Sequence, residues 1–113
     1  MASPWSASAW MKASGTLNGG ELKAGSQYLT TLAEFFVRFV QAYESLGIHI
    51  DTLTVQNEPE HSTTGYPTMR MPWNVQRDLV VLLGPRFAAE GITTDILIWD
   101  HNWDATWSVS DDR

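Results

Sequence analysis

Cysteine is absent from all 113 residues. No disulfide or thiolate chemistry therefore serves this chain, and its redox compartment is left open. Basic residues are scarce: seven Lys and Arg face thirteen Asp and Glu, for a formal charge of −6. The seven are scattered and form no stripe, which argues against nucleic acid or an anionic membrane surface as partner. No apolar run approaches the length needed to span a bilayer. The N-terminus, "MASPWSASAWMK", lacks an apolar segment of signal-peptide length. The chain also has no Asn-x-Ser/Thr sequon, so glycosylation gives no hint of secretion.

What is present is ordinary apolar content, 43%, which argues against disorder. The length suits one domain over 1–113 with a single core. Six tryptophans stand beside Gly, Ser, Asn and Asp as often as in apolar runs. They read either as core or as the lining of a sugar or ligand site.

Residues 1–27 carry Gly15, Gly19, Gly20 and Gly25 among small polar residues and read as a long loop. Residues 28–46 read as a helix. Leu29, Leu32, Phe36, Phe39, Tyr43 and Leu46 form its apolar stripe, widened by Phe35 and Val40, and Gly47 is its C-cap. Residues 48–56 read as a strand rich in β-branched side chains, with Leu53 and Val55 facing the core. His49, between Ile48 and Ile50, faces a helix or solvent. An irregular stretch over 59–73 leads to a second helix over 73–90, with Asn74 as a cap and Pro85 breaking or kinking it. Residues 95–99, "DILIW", suit a strand buried on both faces. Helices alternating with strands imply βα units on a parallel sheet. The segments after the strands, "QNEPEH" and "DHNWD", are rich in functional side chains, whereas the helix-to-strand links are plain. Chemistry in α/β folds sits at the C-terminal ends of strands, and both strand ends obey that asymmetry.

Glu58 is the main candidate, a carboxylate held just past a strand end. Asn57 beside it can orient a substrate hydroxyl, and Pro59 stiffens the exit. An exposed acidic turn accounts for the same three residue types, all common in turns. Glu60, one step further out, reads as solvated. "DHNWD" offers Asp100, His101, Asn102 and Asp104. Near-contiguous ligands converge poorly on one ion, so a metal site is disfavoured, and no cofactor is implied. Hydrogen bonding to a polyol, support of Glu58, or simple loop capping remain for this segment. His49 and His61 are lone histidines and receive no role. Serine-hydrolase and phosphate-binding signatures are missing, and "GTLNGG" (15–20) follows no strand.

The blocks "ASPWSASAWMK" (2–12), "LNGGELK" (17–23), "LTVQNEPE" (53–60), "YPTM" (66–69), "LGP" (83–85) and "ILIWDHNWD" (96–104) come in one order over nearly the whole chain. Together they resemble glycoside hydrolase family 30, the glucosylceramidase-like family. The resemblance implies a (β/α)₈ barrel with a smaller β-domain and a retaining mechanism. It places Glu58 as general acid/base at the end of the fourth strand and Asn57 at the sugar 2-hydroxyl. Trp5 would pack on the sugar after the third strand, and Asp100, His101, Asn102 and Trp103 would form the pocket loop after the fifth. Ser8 departs from the proline that relatives often carry, a matter of loop stiffness.

A full barrel needs about 250 residues. The expected architecture is therefore α/β, a partial (β/α)₈ barrel running from the end of strand 3 through strand 5. The family nucleophile, a second glutamate after the seventh strand, falls outside the chain. The expected function is retaining hydrolysis of a β-linked glycoside such as glucosylceramide, β-1,6-glucan or a β-xyloside. The isolated chain is expected to be inactive or nearly so. A non-catalytic carbohydrate-binding module using Trp5 and Trp103, or an inactive truncated product, are the alternatives.

Overall fold

The computed structural model describes residues 1–98. Two helices and two strands alternate along it: α1 (Ser26–Ser45), β1 (Thr52–Thr54), α2 (Trp73–Ala89) and β2 (Asp95–Leu97). β1 and β2 pair in parallel, with Thr52 opposite Asp95, Leu53 opposite Ile96 and Thr54 opposite Leu97. On the other side of β1, Ala2 bridges Leu53 in parallel: Ala2 N donates to Thr52 O and Thr54 N to Ala2 O, both at 2.9 Å. The parallel pairing of β1 and β2 is what the alternation of elements implies, whereas the third parallel line, at Ala2, falls in the segment read as loop; the class is α/β.

The core forms between the helices and this sheet. α1 contributes Leu32, Ala33, Phe36, Val37 and Val40, α2 contributes Leu79, Leu83 and Phe87, and the sheet region adds Ile50, Leu53, Val55 and Ile92. The stripe expected for α1 is only half right. Leu32 and Phe36 are buried, whereas Phe35, Tyr43 and Leu46 are exposed. The buried face runs through Ala33 and Val37, whose small side chains allow close approach to the sheet and to α2. Phe35, Phe39 and Tyr43 form a separate ridge at i, i+4 spacing, with centroid separations of 6.3 and 4.8 Å. α1 is therefore apolar around more of its circumference than the described residues cover.

The strands are shorter than the apolar pattern suggests. Gly47, at φ 80°, turns the chain out of α1 in the left-handed conformation that glycine adopts without strain. Residues 48–51 then approach the sheet outside the ladder, with Ile48 exposed. His49 is half exposed between Glu44 (3.3 Å) and Asp51 (3.4 Å), on the solvent side. β1 is buried on both sides, since Thr54 and Gln56 are as enclosed as Leu53 and Val55. β2 ends at Leu97, and Trp99 lies outside the described residues.

Pro85 does not end α2, which continues to Ala89. Proline removes the donor to the carbonyl of Val81, but Val81 and Pro85 are both exposed, so water can satisfy that carbonyl. Asn74 is not the cap. Pro72 holds that position, and its carbonyl accepts from Val75 N and Gln76 N at 3.0 Å each. The helices are cross-linked by Arg86, which bonds Glu34 at 2.6 Å and Glu90 at 3.0 Å. Among the described residues no helix is long and apolar enough to cross a membrane.

The segment read as a long loop is more ordered than its composition implies. Ala9–Met11 make one turn of 3₁₀ helix. Ala13 N donates to Glu21 O and Lys23 N to Met11 O, a short antiparallel tie. Arg70 N donates to Gly20 O at 2.8 Å, fastening this segment to the chain that leads into α2.

Candidate functional site

The site is built where β1 ends. Val55 N still reaches Leu97 O at 3.3 Å, and then the chain leaves the sheet. Asn57 N donates to Pro4 O at 2.7 Å, while Gln56 Nε2 donates to Trp5 O at 2.8 Å. These two bonds hold the Trp5 segment against the strand end. Glu58 follows at φ 43°, the one non-glycine residue with positive φ among the described residues. The left-handed region costs an L-residue with a Cβ about 1–2 kcal/mol. Three neighbours hold the backbone there: His61 N donates to Glu58 O at 2.9 Å, Met71 N to Pro59 O at 2.7 Å, and Pro59 itself is fully buried.

Asn57 and Glu58 are partly exposed, and among the described residues neither side chain has a hydrogen-bond partner. A simple acidic turn tends to use its side chains locally. Here the amide and the carboxylate have no partner among the described residues, while the backbone around them is tied down. Gln56 is the reverse case: it is buried, its Nε2 is bonded, and its Oε1 has no partner among the described residues. Glu60 is exposed, as the sequence suggests.

The loop after Glu58 returns two aromatic residues to the same place. The Trp5 and Tyr66 rings lie 5.7 Å apart at 58°, with 50% and 42% of their surfaces exposed. Tyr66 Oη lies 2.9 Å from His61 Nε2, and those rings stack at 5.9 Å. His61 received no role from sequence and Tyr66 was only part of a recognisable block. No local pattern could have shown that they meet Trp5 from some sixty residues away. The three tryptophans among the described residues, Trp5, Trp10 and Trp73, are all exposed, so none belongs to the core that these residues form. Asp100, His101, Asn102 and Trp103 lie outside the described residues. Among those described, no group of three His, Asp or Glu side chains is placed to hold a metal ion.

Behind the aromatic pair, Lys12 is completely buried. Its Nζ donates to Ser6 Oγ (2.9 Å), Leu17 O (2.6 Å) and Thr68 O (2.7 Å). Burial holds its ammonium below the ordinary lysine value of 10.5.

A carboxylate and an amide without partners among the described residues, on a strained strand exit beside exposed aromatic rings, suit a polyhydroxylated ligand. The described family "Glycosyl hydrolase family 30 TIM-barrel domain" matches residues 1–108. The chain belongs to glycosyl hydrolase family 30. An Aspergillus fumigatus relative, "Endo-1,6-beta-D-glucanase neg1", is 40% identical over 118 residues, covering 92% of this chain and 24% of its own length. The mouse "Lysosomal acid glucosylceramidase" is 36% identical over 106 residues, covering 88% and 21%. A solved structure, "The endo-beta1,6-glucanase BT3312", superposes with a TM-score of 0.80 at 34% identity, covering 90% and 24%. The chain thus spans about a quarter of the length of the family 30 relatives it matches.

Proposed function

We propose that this chain carries the acid/base half of a retaining β-glycosidase, and that its three parallel lines are strands three to five of a (β/α)₈ barrel. The observation that carries the reading is Glu58: a carboxylate with no hydrogen-bond partner among the described residues, in a left-handed backbone conformation at the C-terminal end of a parallel strand. Strain of this kind persists where the surroundings over-determine it, and it clusters at functional sites.

In the proposed reaction, a carboxylate supplied by another part of the barrel attacks the anomeric carbon. Glu58 donates its proton to the departing glycosidic oxygen, and a glycosyl ester forms. The Glu58 carboxylate then takes a proton from water, which attacks the same carbon and releases the sugar with retained configuration. Asn57 bonds the 2-hydroxyl, Trp5 packs on the sugar, and Asp100, His101, Asn102 and Trp103 complete the pocket. The substrate class is a β-linked glucoside. β-1,6-Glucan is the first to test, because the relative at 40% identity is named for it, and glucosylceramide the second.

The test places residues 1–113 into a full-length family 30 glucanase in exchange for the matching segment. Glu58→Ala should lower kcat/KM about 10²–10⁴-fold on substrates with poor leaving groups. A dinitrophenyl glucoside, which needs no proton for departure, should lose far less, and azide should restore turnover. Equal losses on both substrates would sink the acid/base assignment.

The exposed Trp5–Tyr66 pair also supports a second reading, a non-catalytic sugar-binding surface. Oligosaccharide binding to the isolated chain that Glu58→Gln leaves unchanged would favour it.

A further inference from the structure

We propose that Lys12 is a positioning residue for this site: its buried ammonium joins the Trp5 segment to the Tyr66 loop, so that two rings from distant parts of the chain act as one platform. The use of that platform by a sugar rests on the glycosidase reading; the clamp does not.

A methionine would fill the same volume without taking a charge out of water. Burying an ammonium is costly unless its hydrogens are satisfied, and among the described residues no carboxylate pairs with Lys12. What an ammonium offers instead is three N–H donors in tetrahedral array. Each finds an acceptor, and each acceptor belongs to a different stretch of chain. Ser6 is the neighbour of Trp5. Leu17 stands at the head of the glycine-rich loop. Thr68 lies two residues beyond Tyr66. Three bonds of 2.6–2.9 Å on one atom fix the mutual positions of the three stretches.

The surrounding bonds extend this junction to the reacting end of the site. Thr68 Oγ1 accepts from Gly19 N (3.1 Å) and Thr63 N (3.0 Å) and donates to Thr63 O (3.0 Å), so the Tyr66 loop is stiff where Lys12 grips it. On the other arm, Pro4 O and Trp5 O are bonded by Asn57 N and Gln56 Nε2, so that segment is tied to the strand carrying Glu58. Lys12 therefore closes a circuit from Glu58 through Trp5, across to Tyr66 and His61, and back through His61 N to Glu58 O. Without the ammonium, the Trp5 arm keeps its tie to the strand, and the Tyr66 loop loses its registration against it.

The experiment is NMR on the labelled 113-residue chain, reading nuclear Overhauser contacts between the Trp5 indole and the Tyr66 ring. Lys12→Met should keep helical circular dichroism and the contacts between α1 and α2 but lose the Trp5–Tyr66 contacts. Lys12→Ala should lose them too, and propylammonium, which supplies the missing charge and donors, should restore them where 1-propanol does not. Unchanged ring contacts in a folded Lys12→Met chain, or equal rescue by propanol, would overturn the proposal. If neither lysine variant folds, Ser6→Ala decides: it removes one acceptor from a partly exposed position, and loss of the ring contacts is expected, whereas their full retention refutes the clamp. Gentiobiose, two β-1,6-linked glucoses, is a separate probe of the wild-type chain. Trp5 indole shifts that vanish in Lys12→Met are expected; no shift with the ring contacts intact counts against the glycosidase reading alone.

Discussion

Glu58 occupies a backbone conformation that glutamate does not favour. Its side chain has no partner among the described residues and its backbone is strained, so its presence disfavours the local fold. Glycine adopts φ 43° without the Cβ penalty, although it gives back part of the gain as unfolded-chain entropy. Glu58→Gly should therefore stabilise the chain by roughly 0.5–1 kcal/mol in urea unfolding. Glu58→Gln, which keeps the Cβ and the shape, should leave the midpoint unchanged. A loss of stability in either variant would mean that the carboxylate holds the fold, and the trade of stability for chemistry would be refuted.

At the scale of elements, α1 separates two phenylalanines that are adjacent in sequence. Phe36 is buried in the core and Phe35 is exposed on the aromatic ridge. Phe36→Ala should cost about 3–5 kcal/mol, the transfer of a ring plus the cavity it leaves. Phe35→Ala should cost under about 1 kcal/mol. Equal costs in denaturant melts would show that the ridge is packed. The link between α1 and α2 carries a pH dependence. The hydrogen bond from Arg86 holds the Glu34 carboxyl below its ordinary 4.5. A depressed carboxylate contributes stability that is present above the unfolded value and is lost as pH falls through the folded one. The melting temperature should therefore drop as pH goes below about 4.5, and Glu34→Gln should flatten that drop. Both side chains are more than a third exposed, so the effect is small and should weaken further in high salt.

At the scale of the molecule, the three parallel lines have, among the described residues, one unpaired edge beyond Ala2 and another beyond β2, where Leu97 and Ile98 are exposed. Unpaired edges with apolar side chains template pairing with other chains. The isolated chain should self-associate with rising concentration in sedimentation or size-exclusion experiments, and charged substitutions such as Leu97→Lys should suppress this. If Glu58 is the acid/base and the nucleophile is supplied by another part of the barrel, as proposed, the isolated chain should give no turnover of an aryl β-glucoside, because a double displacement needs both carboxylates. Turnover abolished by Glu58→Gln would show that the second carboxylate lies within these residues after all.

The order of elements, the parallel sheet and the strand-end position of Asn57 and Glu58 were legible in the sequence, because helix and strand periods and the asymmetry of their connections are local properties. The family was legible too, because its blocks are contiguous. The sequence could not say which of α1's apolar stripes is buried. That depends on which side chains are small enough to let the sheet and α2 approach, and Ala33 and Val37 look unremarkable until both neighbours are in place. Nor could it show that Pro85 sits on the wet side of α2, where a lost donor costs little. The left-handed backbone at Glu58 carries no local signature, since glutamate is not a residue that favours it; the bond from His61 N to Glu58 O, the bond from Met71 N to Pro59 O and the burial of Pro59 hold it there. Likewise Lys12, Trp5, His61 and Tyr66 are ordinary residues dispersed over more than sixty positions. Only tertiary structure makes them neighbours, because the three hydrogens of one buried ammonium must find acceptors wherever the folded chain supplies them.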